Sequence, residues 1–225
     1  MIVRILKMLQ TEQLQLIDEL MNTGEFIDGA STTGVPTKPV KHNLQLDMAN
    51  HPRQAELYRA VTELFTRHPM LRSSTYPKKM TMPLLSSYSE GQSYGWHIDN
   101  PIMPSPSGPV RADVACTAFL TDSKDYDGGE LHISTHSGDV KIKLERGDVI
   151  LYPAMYRHQV TPVTRGVRLA MVFWIQSMVQ DVSRREVLHD LNMAYNHIYQ
   201  EKPDSEALPL IQRTQSNLVR RWAEN

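Results

Sequence analysis

Tyr94-Gly95-Trp96-His97-Ile98-Asp99 carries an imidazole and a carboxylate two residues apart. Side chains alternate between the faces of a β-strand, so on a strand His97 and Asp99 point the same way. That pair makes two-thirds of a metal site. A third ligand has to come from elsewhere in the chain, because strands remote in sequence become neighbours in a sheet. Two histidines and one carboxylate on one face would leave iron(II) with open positions. His132, His136 and His158 each lie in or beside a predicted strand, and the spacing favours His158 without excluding the other two.

The sequence around this stretch has the texture of a β structure. From Met80 onward, short apolar runs alternate with turns rich in Gly, Pro and Asp. The runs are Leu84–Tyr88, Val110–Leu120, Glu130–Ser134, Val140–Leu144, Val149–Tyr152, His158–Val163 and Val167–Ile175. Strands at this spacing predict an all-β sandwich or barrel. Asp127-Gly128-Gly129, Arg146-Gly147-Asp148 and Arg165-Gly166 supply the turn signals. The last two strands read as a hairpin around Arg165-Gly166. Val167–Ile175 is apolar on both faces, as in a strand covered on both sides.

Helices flank the β region on both sides. Ile2–Leu9 reads as a short strand, and Thr11 as the cap of a helix running to about Asn22 and stopped by Gly24. Residues 28–43 read as loop. Pro52 suits the first position of a second helix, whose stripe is Leu57, Tyr58, Val61, Leu64 and Phe65, and His68-Pro69 ends it. After Ser177, helical spacing returns at Val187, Leu188, Leu191, Ala194, Tyr195, Ile198 and Tyr199, breaks at Pro203, and resumes to Trp222. The expected organisation is mainly β with flanking helices: helical support over 1–77, a β core over 78–178 and a helical extension over 179–225. The apolar stripes of that extension point to a dimer contact or to cover for one face of the barrel.

Composition narrows the function classes. The chain has 225 residues, 40% of them hydrophobic, and a formal net charge of −1. The sequence pI is about 6.8, which gives no support for nucleic-acid binding. The single cysteine, Cys116, excludes an internal disulfide framework and any Cys-rich zinc or iron–sulfur site, and it reads as a small buried side chain. The start of the chain is too interrupted by charge for a signal peptide, and no run approaches membrane-spanning length. The expectation is a soluble cytoplasmic protein with no membrane or nucleic-acid partner.

Arg168 follows His158 by ten residues. If both face inward they share a cavity, and a guanidinium there needs an anionic partner, because an unpaired buried charge is costly. A small dicarboxylate that chelates a metal at one end would present its far carboxylate to the planar fork of Arg168.

Tyr88 to Asp99, then Asp127-Gly128-Gly129-Glu130-Leu131, then Gly147-Asp148 with His158 and Arg168, resembles the iron(II)/2-oxoglutarate dioxygenases of the prolyl hydroxylase type, and more closely the bacterial PKHD-type hydroxylases. The resemblance implies a double-stranded β-helix (jelly-roll) core. It implies that His97, Asp99 and His158 bind Fe(II), that Arg168 holds the distal carboxylate of 2-oxoglutarate, and that Tyr94 lies near the co-substrate. Another family tyrosine aligns with Phe119, which has no hydroxyl to donate. The implied reaction couples decarboxylation of 2-oxoglutarate by O2 to hydroxylation of an unidentified prime substrate, a peptide, protein or small metabolite, with L-ascorbate sustaining the iron and a link to iron uptake.

Other motifs carry less. Glu130 reads as a strand-entry residue, and Asp122 to Asp127 lacks the EF-hand spacing for calcium. There is no His-Glu-x-x-His, phosphate loop or Gly-x-Ser-x-Gly elbow. Pro101–Pro109, directly after Asp99, reads as a rim of the substrate mouth or a rigid connector. A non-catalytic, cupin-like metal or 2-oxoglutarate sensor and a zinc hydrolase built on the same three ligands are the alternatives. Oxygen-dependent succinate release separates the first reading from both.

Overall fold

The ten-residue strand Arg168–Ser177 shows why the chain forms two layers. Its odd positions, Leu169, Met171, Phe173 and Ile175, join one apolar cluster together with Leu20, Leu57 and Phe65. Val172 and Trp174 belong to a second cluster with Leu131, Ile133 and Ile142. The same alternation runs through the neighbouring strand Val114–Phe119, where Val114, Cys116 and Ala118 face one way and Ala115 and Phe119 the other. A period of two with apolar residues in both phases produces a strand buried on both faces. In this computed structural model, residues 1–105 and 108–224 are described.

The large sheet runs in the order Val3–Ile5, Val149–Pro153, Val114–Phe119, Arg168–Ser177, Leu84–Tyr88, Leu44–Leu46, Phe26–Asp28, with Pro77–Met80 also on Arg168–Ser177. The small sheet runs Gly138–Ile142, Leu131–Thr135, His158–Val160, Ser93–His97, Lys41–His42. The pairs within both sheets are antiparallel. The sheets face each other across the second cluster, giving the jelly-roll core. Three helices, α1 (Thr11–Thr23), α2 (Gln54–Arg67) and α3 (Pro69–Thr75), pack on the outer face of the large sheet. Phe65 of α2 meets Phe173 edge-on at 4.5 Å between ring centroids. Fully burying one such side chain contributes about 2 kcal/mol. Cys116 is buried there, as its apolar run predicts.

Several local expectations are corrected. Gln10 rather than Thr11 flanks α1, its N–H donating to Gln13 Oε1 at 3.1 Å. α2 begins at Gln54, two residues after Pro52, because the turn through His51 comes first. Residues 28–43 are more than a loop: they hold two 3₁₀ turns and the strand Lys41–His42, which pairs with Ser93–His97. The next strand, Leu44–Leu46, pairs with Leu84–Tyr88 of the other sheet, so this segment passes from one layer to the other beside the site.

The hairpin expected around Arg165-Gly166 does not form. His158–Val160 lies in the small sheet between Leu131–Thr135 and Ser93–His97. Arg168–Ser177 lies in the large sheet between Val114–Phe119 and Leu84–Tyr88. Between them Val163–Arg165 pairs with Asp127–Gly128. Gly166 makes the change of layer possible: φ is +72° and a Cβ would stand 2.3 Å from the Asp125 carbonyl oxygen, so a side chain has no room.

The C-terminal helices are α4 (Val182–Glu201), capped by Asp181 accepting from Arg184 N–H at 2.8 Å, and α5 (Ala207–Trp222). Pro203 separates them. α4 packs on α3, with His189 Nδ1 3.0 Å from Ser74 Oγ, and so extends the outer helical layer. No helix among the described residues is long and apolar enough to cross a membrane.

Candidate active site

His97 ends the strand Ser93–His97, and its Cα partner across the small sheet is His158, the first residue of His158–Val160. Asp99 lies just past the strand end rather than on it, yet it turns to the same side. The Nε2 atoms of His97 and His158 stand 3.8 and 3.7 Å from Asp99 Oδ1. One ligand atom from each residue lies within 4.8 Å of the other two. These separations are too long for direct hydrogen bonds and suit three donors around a common centre.

The backbone fixes both imidazoles. His97 Nδ1 donates to Gly95 O at 2.8 Å, and His158 Nδ1 donates to Tyr156 O at 2.9 Å. Each ring thereby keeps its Nε2 lone pair directed inward. Burial, reinforced by His158, holds His97 down to about 3, so the ring is neutral. Burial raises the Asp99 carboxyl above its usual range, against the lowering effects of His158 and of the hydrogen bond from Trp174 Nε1 to Asp99 Oδ2 at 2.8 Å. The other candidate histidines are placed elsewhere. His132 bonds Glu130 at 2.9 Å, and His136 stands edge-on to Tyr156 at 6.5 Å.

Arg168 reaches the same cavity from the opposite layer. It is 1% exposed, and its Nε and Nη1 have no hydrogen-bond partner among the described residues. The guanidinium lies 5.1 Å from the Tyr88 ring centroid and 5.6 Å from that of Phe119. Phe119 therefore meets Arg168 with a ring face where a tyrosine would add a hydroxyl. Burial pushes the Tyr88 phenol up to about 12, so it stays a neutral donor. Gly129, at φ +59°, allows the close approach: a Cβ there would stand 3.0 Å from Arg168 Cδ.

Triad and arginine line one cavity of about 700 Å³, which continues past Tyr94 to the N-terminal segment. Tyr94 stacks on His97 with ring centroids 3.6 Å apart, and its hydroxyl lies 3.2 Å from Thr33 Oγ1. Lys41, in a stretch whose composition reads as loop, is 6% exposed in the wall. Its ammonium donates to Thr32 Oγ1 at 2.9 Å and stands 5.2 Å from the Tyr94 ring centroid. Burial brings it down to about 8. Trp174 was within reach of sequence reasoning, being six residues from Arg168 and hence on its face. Lys41 carried no such signal. Of the Pro101–Pro109 stretch, Met103, Pro104 and Ser105 line the cavity, while Pro106 and Ser107 lie outside the described residues.

Comparison with known proteins fits this geometry. Residues 83–176 match the family described as the 2OG-Fe(II) oxygenase superfamily. The chain is 37% identical over 226 residues to a PKHD-type hydroxylase of Pseudomonas putida (strain W619), covering 100% of both. It is also 37% identical to PiuC, a PKHD-type hydroxylase of Pseudomonas aeruginosa, again over 100% of both chains. The chain belongs to the PKHD-type hydroxylases. Among solved structures, a Pseudomonas putida prolyl-4-hydroxylase matches with TM-score 0.55 at 15% identity, covering 78% of this chain and 92% of that one. A prolyl hydroxylase from Trichoplax adhaerens, solved with a hypoxia inducible factor peptide fragment, matches with TM-score 0.56 at 20% identity over 83% and 86%. At these identities the likeness is one of fold. Membership makes this PKHD-type hydroxylase an enzyme of the iron- and 2-oxoglutarate-dependent class.

Proposed function

We propose that His97, Asp99 and His158 hold Fe(II), that Arg168 binds the distal carboxylate of 2-oxoglutarate, and that the enzyme hydroxylates a prime substrate entering beside Tyr94. The observation that carries the reading is the pairing of a three-donor cluster with a buried guanidinium whose Nε and Nη1 lack a partner among the described residues, in one cavity. The donor set suits the ion: two imidazoles with Nε2 directed inward and one carboxylate are the ligands of a non-haem iron(II) site with open positions. The orphaned nitrogens of Arg168 suit a dicarboxylate, since a planar fork binds a carboxylate through two parallel hydrogen bonds.

When bound, Fe(II) with 2-oxoglutarate and O2 supplies oxidative decarboxylation to succinate and carbon dioxide, coupled to hydroxylation. The chain's own residues set the conditions. The backbone carbonyls of Gly95 and Tyr156 orient the imidazoles, and Trp174 orients Asp99. Arg168 fixes one end of the co-substrate and therefore the direction of the other. Tyr94 shields His97 with its ring and bounds the co-substrate space. The apolar wall of Leu131, Val160 and Val172 excludes water from the reacting end.

Residues 78–178 form the oxygenase core in this reading, supported by 1–77 and 179–225. The enzyme acts in the cytoplasm, in keeping with its single buried cysteine, and it uses L-ascorbate to keep iron reduced and serves iron uptake, as the PKHD resemblance implies. Exposed Val187, Met193 and Tyr199 on α4 support self-association of the C-terminal helices, which light scattering of wild type against Met193→Glu tests. The deciding experiment for the activity is succinate release from 2-oxoglutarate under O2 with Fe(II). The expected result is turnover that disappears in His97→Ala. Turnover unchanged by that substitution would overturn the assignment.

A further inference from the structure

Two buried cations face the cavity, and the proposed chemistry uses only Arg168. Lys41 comes from the edge strand of the small sheet, where its Cα pairs with Tyr94. An ammonium this buried requires compensation. Its hydrogen-bond partner is one neutral hydroxyl, Thr32 Oγ1, at 2.9 Å. No carboxylate lies within ion-pair distance of it among the described residues. Asp99 and Asp28 act on it only through space, and the nearby acids make their hydrogen bonds to other groups. Asp99 bonds Trp174 and faces the two imidazoles, exposed Asp28 accepts from Ala30 N–H, and Asp47 accepts from Asn50. The hydrogen-bonding side chains on the N-terminal side of the cavity are mostly neutral hydroxyls and amides. Thr32 bonds Gln45, Gln45 Nε2 donates to Ser86 Oγ at 3.1 Å, and Thr33 and Thr37 bond each other at 2.5 Å.

Formal charge sharpens the point. Fe(II) and Arg168 bring three positive charges, and Asp99 with the two carboxylates of 2-oxoglutarate brings three negative ones. The co-substrate thus closes the balance at the iron, and the remaining acid acting on Lys41 is the exposed, solvent-screened Asp28.

We infer that Lys41, with Thr32 beside it, binds the anionic group of the prime substrate, and that this substrate is a small organic acid whose carboxylate enters the cavity fully. The inference rests on the Fe(II)/2-oxoglutarate reading of the site. Size supports it: the cavity of about 700 Å³ extends from Arg168 past the triad to Lys41 and leaves room beyond a five-carbon co-substrate. Burial supports it too, because only a group that passes inside the rim can reach the ammonium.

The test uses full-length protein loaded with Mn(II) and 2-oxoglutarate and titrated calorimetrically with matched pairs of probes. Suitable pairs are N-acetyl-leucine, N-acetyl-proline and hippurate, each against its primary amide. At least one carboxylate is expected to bind about tenfold or more tightly than its amide in the wild type. Lys41→Met is expected to remove that preference and Lys41→Arg to keep it, with circular dichroism confirming that both fold. A preference that survives Lys41→Met, or no preference in the wild type for any pair, would overturn the inference. So would a loss of 2-oxoglutarate affinity in Lys41→Met as large as in Arg168→Met, since that places the ammonium on the co-substrate. Failure of the wild type to bind Mn(II) and 2-oxoglutarate would instead remove the underlying reading.

Discussion

The 2.8 Å hydrogen bond from Trp174 to Asp99 shows how much of this site is orientation rather than ligand identity. Asp99 sits beyond its strand and has no sheet neighbour to hold it, so an indole from the facing sheet does so. Trp174→Phe keeps the ring and removes the donor. It is expected to weaken Mn(II) binding about tenfold, the usual scale for partners that orient ligands, as read by metal titration. Arg168 gives a complementary prediction. Arg168→Met is expected to cost about 2–5 kcal/mol of 2-oxoglutarate binding, because it leaves a carboxylate desolvated and unpaired, while metal affinity persists. Equal losses of metal and co-substrate in that variant would mean the fold, not the anchor, had been damaged. Arg168→Lys is expected to recover part of the affinity, since it restores charge without the fork.

Strands and turns position these side chains. Arg168–Ser177 carries the arginine and the tryptophan on one face and anchors to the helices by the other. Its entry depends on Gly129, whose left-handed φ and lack of Cβ admit the arginine stem. Gly129→Ala is expected to lose about 1–2 kcal/mol of stability from backbone strain alone. Its 2-oxoglutarate KM should rise more than its metal affinity falls, which steady-state kinetics with a parallel Mn(II) titration would check. A rise in neither would show that the guanidinium adjusts freely. Most of these elements were legible. Leu84–Tyr88 has the predicted bounds and four other strands differ by a few residues, because apolar alternation reports a half- or fully buried strand directly, whereas Val110–Leu120 and His158–Val163 each divide into two strands. The partners of those strands were not legible. The Arg165-Gly166 turn has the composition of a hairpin and instead changes layer, since local composition specifies a bend but not which sheet receives the next strand.

In the whole molecule, the outer helical layer supports the large sheet and the cavity lies on its other face. Disturbing the first should lower stability without altering ligand geometry. Leu188 of α4 is fully buried. Leu188→Ala is expected to destabilise by about 2–5 kcal/mol, as lost transfer energy plus a cavity, and to leave Mn(II) affinity unchanged in the folded fraction. Loss of metal affinity at temperatures where that variant remains folded would contradict the separation of layers. Metal and co-substrate should raise the melting temperature together, and EDTA should reverse the rise, because ligands that bind only the folded state stabilise it by mass action. No shift with either ligand would count against a preformed site.

His97, Asp99, His158 and Arg168 were legible as candidates in the sequence, His97 and Asp99 by their spacing and the full set by its resemblance to a known family. The two-faced burial of Arg168–Ile175 was legible because a period of two is a local property, although Val167, predicted as part of that strand, is exposed and outside it. Lys41 and Thr32 were not legible. They stand in a stretch whose Gly and Pro content reads as loop; Thr32 is exposed, and the burial of Lys41 arises where residues 41–46 bridge the two sheets. His158 and Arg168, ten residues apart, likewise converge from facing layers rather than adjacent strands. Side-chain chemistry is written locally, whereas the distance between two such side chains depends on pairings between remote segments, which are fixed only when the entire core packs.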